Sequence, residues 1–290
     1  MRIYRFLSPL LLLVILLLAS PLPILAAPPV SAQQLVKEMV YNELQDREHD
    51  SFWSYRVVRT TPEQTIVACQ VETGNGPLYR ILSRNGVTLA GEQLAQENAR
   101  LDKLFGSPSA LAHNRAQHRD DEQRLQRLMK LMPDAFLYDY EGASDEPAIR
   151  ISFRPNPAFV PQTWEARVYH GLAGTVLVDR RYKRLIDING KLVDRIDFGY
   201  GILGHIEKGG TFEVRREKVT ETHWKTSLVN IQVDGRVILF KTVSKQQREE
   251  RSGFLPVPTD ISLERTRQIL DQALTSGSAC FTQGGCPVHK

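Results

Sequence analysis

The chain is poor in cysteine. Cys69, Cys280 and Cys286 are all it has among 290 residues, and the last two with His289 supply only three ligands of a zinc set, with no second pair at zinc spacing elsewhere. Catalytic signatures are missing as well. There is no Gly-x-Ser-x-Gly elbow, no His-Glu-x-x-His, no phosphate loop and no dinucleotide fingerprint. An enzyme is therefore not expected, although a triad assembled in space leaves no such trace. Beyond residue 27 no stretch approaches the roughly 20 apolar residues of a membrane-spanning helix. Charge of one sign is scarce too. Once Arg2 and Arg5 leave with the leader described below, 35 of the 37 basic side chains face 33 acidic ones. Such a balance gives no polyanion footprint, so nucleic acid is not an expected partner.

What is present starts at the N-terminus. Arg2 and Arg5 precede the apolar run Leu10–Leu18 and a small-residue exit ending in Ala26 and Ala27. This is the order of a secretory signal, and it predicts a leader over 1–27 and a periplasmic or secreted mature chain. An uncleaved anchor is the alternative, since Ile24 and Leu25 are not the small residues preferred two positions before the cut. With 42% apolar residues the rest can bury a core, read as a single domain over 28–275 followed by a tail over 276–290. In an oxidising compartment Cys280 and Cys286 suit a small disulfide loop, with free thiols or a site sharing His289 as alternatives. Cys69 reads as a small buried apolar group.

Along the chain, Leu35, Met39, Val40 and Leu44 recur at helical spacing. Residues 52–60 and 65–71 are rich in β-branched and aromatic side chains and predict a hairpin. A third strand over 77–83 follows, with Asn85-Gly86 as a tight turn. From Gly91 to Met132 strand formers give way to charge, and two amphipathic helices are expected around Gly106-Ser107-Pro108, the second ended by Pro133. Its segment from His113 to Asp121 reads as a solvated charged face, with a metal site as the alternative. Ile149, Ile151 and Phe153 alternate with polar residues as in a half-buried strand. Strands over 174–179, 182–188 and 191–199 are expected to turn at Arg180-Arg181 and at Asn189-Gly190, and 224–233 with 236–243 at Asp234-Gly235. The Gly-rich run from Asp197 to Gly210 reads as a wide connection, or as a mouth loop gating a cavity. Asp260 is the expected cap of a last helix.

Taken with the order of helices and hairpins, Gly174-Thr-Val-Leu-Val-Asp179, Tyr182, Leu185, Gly190-Lys-Leu192, Phe212 and Trp224 resemble the bacterial outer-membrane lipoprotein-sorting and carrier superfamily. The resemblance implies an α+β fold, a curved antiparallel sheet forming a half-open barrel, with helices over its concave face. It further implies a non-enzymatic exported protein that needs no cofactor and holds a lipid or the acyl chain of a lipoprotein. Phe153, Ile196, Phe198, Phe212, Val214, Trp224 and Leu228 are the lining candidates, each methylene they shelter contributing about 0.8 kcal/mol. The alternative is an envelope protein-interaction or sensor module with the same fold and a filled core.

Overall fold

A computed structural model describes residues 30–48, 51–142, 147–198, 204–237 and 245–276. The expected Cys280–Cys286 loop and the expected leader lie outside these residues. The described residues begin with helix α1 (Ala32–Glu48) and the strands β1 (Phe52–Thr60), β2 (Thr65–Val71), β3 (Leu78–Arg84) and β4 (Val87–Thr88). Helices α2 (Gly91–Phe105) and α3 (Pro108–Ala135) follow, then β5 (Phe136–Glu141), β6 (Ala148–Pro155), α4 (Trp164–His170), β7 (Leu172–Asp179) and β8 (Leu185–Leu192). The C-terminal part holds β9 (Ile196–Phe198), β10 (Gly204–Ile206), β11 (Thr211–Lys218), β12 (Trp224–Val233), β13 (Gly235–Val237), β14 (Lys245–Val257) and α5 (Leu263–Ser276).

Eleven strands form one antiparallel sheet in the order β4-β3-β2-β1-β14-β12-β11-β8-β7-β6-β5, and β13-β10-β9 form a small second one. The large sheet ends in a different strand at each edge and is therefore open. The fold is α+β, as the sequence leads one to expect. Asn85 and Gly86 make their turn with φ of 49° and 79°, the left-handed values that a tight hairpin requires.

Cross-strand partners share a face, so the register tells which helix covers which side. Val176, Ile188, Val214 and Val229 are successive partners from β7 to β12, and Glu249, Arg59 and Ile66 continue that row to β2. On this face α1 packs with Phe136, Ile151, Phe153, Val176 and Val178. The other face of β1–β3 carries Phe52, Cys69, Val71 and Leu78, which pack with Leu101 of α2 and with Ile269, Leu270 and Ala273 of α5. The helices thus divide between the two faces of the sheet. The long α3 joins the two layers, with Leu111 in one core and Met132 and Ala135 in the other.

Several local expectations are corrected. Pro133 does not end α3, which runs to Ala135 with the proline inside its last turn. That turn still has a use for its carbonyl, since the Gln33 side chain donates to Pro133 O at 3.0 Å. Asn189-Gly190 is not a turn: β8 passes straight through it, because Gly190 lies opposite Gly174 of β7. A Cβ on Gly174 would stand 2.0 Å from Asn189 O, and one on Gly190 would stand 2.6 Å from Ala173 O, so neither strand admits a side chain there. Nor does β12 pair with the residues after Asp234-Gly235 as expected, although 238–243 lie outside the described residues. Gly235–Val237 pairs with β10, while β12 lies between β11 and β14. Helix α5 takes its cap from Ser262, whose Oγ accepts from Arg265 N at 3.0 Å, rather than from Asp260.

Candidate functional site

The face under α1 gathers most of the unusual chemistry. Helix α1 presents Leu35, Val36, Met39 and Val40 to the sheet, each at most 4% exposed. On the same stripe, one turn after Met39, comes Glu43, which is 0% exposed. A carboxylate buried among apolar residues must find cations. Glu43 finds two. Arg184, just before β8, donates from Nε to Oε1 at 2.9 Å, and Arg216 of β11 donates to Oε2. Leu185 N adds a bond to Oε1 at 2.9 Å. Asp46, one turn on, accepts from both arginines, so two guanidiniums and two carboxylates form a closed, neutral quartet.

The quartet is walled by aromatic rings. The guanidinium of Arg184 lies 5.9 Å from the Trp224 ring centre, and Tyr182 meets Trp224 edge-on at 6.3 Å. Arg216 also donates to Trp224 O, while its buried Nε has no hydrogen-bond partner among the described residues. Burial lowers the Arg216 guanidinium to about 10, still far above any physiological pH, so it stays cationic and keeps its need for carboxylates. Asn42 donates to Lys183 O at 3.2 Å and ties the same end of α1 to the turn before β8. The arrangement holds charge in place, and none of its groups is poised as a nucleophile or general base.

A second strip lies on the same face at β1. Trp53 and Tyr55 are buried beside Phe254, with the Lys225 ammonium 5.4 Å from the Trp53 ring and Arg251 5.7 Å from the Tyr55 ring. The Tyr55 hydroxyl accepts from Gln70 at 2.6 Å, and burial pushes it well above the ordinary tyrosine range. On the face away from α1, Ala173, Lys191 and Thr211 form one row and Asn189, Glu213 and Asn230 another. They border an open recess of about 400 Å³.

Of the residues singled out in the sequence, Phe153, Phe212 and Val214 come together on the α1 face. Phe153 packs edge-on against Phe136 with ring centres 4.9 Å apart. Phe212 covers Gly190, whose missing side chain leaves room for the ring. Trp224 shares this face, against the arginine quartet. Leu228 does not. An extra residue in β12 between the partners of Arg215 and Arg216 reverses the alternation, so Leu228 pairs with Arg215 and Glu250 on the opposite face. Ile196 belongs to the small sheet, its Cδ1 close to Gly171, and Phe198 ends the same strand with its side chain outside the described residues. The candidates therefore do not line one space.

Glu43, Asp46, Arg184 and Arg216 were not among the residues that sequence reasoning selected. A signal existed: Glu43 falls seven residues after Val36 and four after Met39, in the middle of the apolar stripe. Among the described residues no group of three or more His, Cys, Asp or Glu side chains is placed to hold a metal ion. Three histidines make local contacts: Nε2 of His170 lies 2.9 Å from Asn156 O, His205 pairs with Glu207, and the His223 ring lies tilted against Trp53 with centres 5.4 Å apart. No protein-family model matches this chain, and a search of curated proteins finds no match either.

Proposed function

We propose that the chain is an exported, non-enzymatic interaction or sensor module of the cell envelope, built on a sheet that curves as a half-barrel around α1 and filled by its own side chains. The observation that carries this reading is the seat of α1. Val36 is 0% exposed and Met39 1%, against Ile151, Val176 and Val178 at 0%, so the protein itself occupies the volume that an acyl chain would need. The Glu43 quartet holds the helix down. A module of this kind offers its outer surfaces to a protein partner and keeps its interior closed.

A second reading, the lipid or lipoprotein acyl-chain carrier, has one feature in its favour. The sheet surface beneath α1 is a continuous apolar row from Ile151 through Val176 and Ile188 to Val214, and lifting one helix would open it. Native mass spectrometry of the chain purified from the producing cell separates the two. The module reading expects a mass beginning near Ala27 or Pro28 with nothing bound. Co-purifying lipid in repeated preparations would overturn it in favour of the carrier.

A further inference from the structure

The sheet face away from α1 holds the recess of about 400 Å³ bordered by Ala173, Asn189, Lys191, Thr211, Glu213 and Asn230. Its walls come from the four neighbouring strands β7, β8, β11 and β12. Asn189, Glu213 and Asn230 are cross-strand partners in a row that starts at Thr175, and Ala173, Lys191 and Thr211 form the next row on the same face. The size lies within the range of small-molecule sites.

Two kinds of side chain meet there. Asn189 is fixed at both ends of its amide, since Thr175 Oγ1 donates to its Oδ1 at 3.2 Å while its Nδ2 donates to Asp187 at 2.6 Å. Arg215, the cross-strand partner of Asp187, donates in turn to Glu213 Oε1 at 2.5 Å. This wall is therefore pre-organised. Lys191, Thr211 and Asn230 differ from it, because their side chains make no hydrogen bond and no ion pair among the described residues. They are groups with their pairing capacity unspent.

That capacity mixes donors with acceptors. Lys191 and the second Nδ2 proton of Asn189 donate, Glu213 Oε2 accepts, and Thr211 and Asn230 do both. Charge is balanced as well, since Lys191 and Arg215 stand against Glu213 and Asp187, with Arg215 shared between the two carboxylates. Neither an anion nor a cation is favoured. A neutral molecule with a hydroxyl on most of its carbons offers a donor and an acceptor at each position, which is what such a lining pairs with. Beyond the recess the row continues, with Thr211 opposite Gln232 and Gln232 opposite Gln246, both glutamines exposed. Their amides extend the same chemistry across the sheet.

We propose that the recess is a saccharide site, in which Asn189, Lys191, Thr211, Glu213 and Asn230 bind the hydroxyls of a neutral sugar and Gln232 and Gln246 carry a longer oligosaccharide outward. The site is open and its hydrogen bonds compete with water, so the dissociation constant is about 1 mM.

The test titrates the purified, nitrogen-15-labelled chain with N,N′-diacetylchitobiose and with maltose, each to about 20 mM, and follows the amide resonances. One of the two sugars is expected to shift residues 189–191, 211–213 and 230 saturably, with the same affinity in about 0.5 M NaCl because a neutral ligand is not screened. The tetrasaccharide of that series should bind at least threefold tighter, a gain that Gln232→Ala removes. Asn230→Ala should weaken the disaccharide at least tenfold without changing the circular dichroism, while Gln96→Ala on α2 leaves it unaltered. No saturable shift with either sugar, shifts confined to other residues, or an Asn230→Ala chain that binds like its parent would overturn the proposal. A tighter response of these residues to glycine or inorganic phosphate would assign the recess to a charged ligand and end the saccharide reading. None of these outcomes bears on the module reading, which is tested by co-purifying lipid.

Discussion

Both halves of the sheet use an arginine to fasten a helix, but they do so with different degrees of closure. Under α1, Arg184 and Arg216 meet Glu43 and Asp46 in a buried, charge-neutral set. Under α5, Arg80 of β3 reaches Asp271, which is 47% exposed and shared with Arg267, and leans on Asn98 of α2. In the first case Glu43 has no exposure and the other three side chains are at most 12% exposed, so each charge depends largely on the others. In the second, only the carboxylate faces solvent, and the buried Arg80 keeps Asn98 and the nearby charge of Glu97 when Asp271 is lost. The contrast shows that an ion pair's worth is set less by its length than by what remains when one member is removed.

Substitutions can break or sharpen this contrast. Glu43→Ala strands two buried guanidiniums, and a loss of roughly 3–5 kcal/mol is expected. Urea unfolding measures it, and a cost no larger than that of Asp271→Ala would dissolve the distinction. An intermediate effect is expected where the halves meet, at Glu249 of β14. Burial raises its pKa, but Arg251 and Arg59 outweigh burial and leave it below the usual carboxylate value. A carboxylate depressed in the folded state contributes stability above its unfolded pKa, about 4.3. That stability is lost as pH falls through the folded value. Glu249→Gln should therefore lower neutral-pH stability by about 1.5–3 kcal/mol and flatten the acid limb of a thermal-melt series. A parallel acid limb in both proteins would place the sensitivity elsewhere. The smallest change is expected at the half-open link, where Asp271→Ala leaves the buried Arg80 with Asn98 and the nearby charge of Glu97 and costs about 1–1.5 kcal/mol.

Legibility in the sequence followed the source of each element's stability. The β1–β2 hairpin was readable because Trp53, Tyr55, Val57, Ile66 and Val67 favour strands by themselves and Thr61-Pro62-Glu63 turns between them. Strand β14 was not readable. Its Lys-Gln-Gln-Arg-Glu-Glu-Arg start resembles a solvated segment, and its partners, Arg59 for Glu249 and Leu228 for Glu250, are supplied by distant strands. Gly190 was misread as a turn residue because a sequence does not show Gly174 approaching from the neighbouring strand. Leu228 was assigned to the wrong face because an inserted residue reverses a period-two pattern without altering composition. The α1 stripe was visible, while the charged quartet on it needed two arginines about 140 and 170 residues away.

Strand β14 also dictates an order of assembly. It is the next-to-last of the described elements, yet it sits between β1 and β12 and, among the described strands, alone bridges the β1–β4 group and the remainder. Phe52 waits for Val257, more than two hundred positions downstream. During synthesis the β1–β4 group can pair internally long before β14 exists, and its β1 flank stays bare until then. Completion of the molecule is therefore a late, long-range closure, the kind of step that slows maturation and rewards protection of unfinished chains.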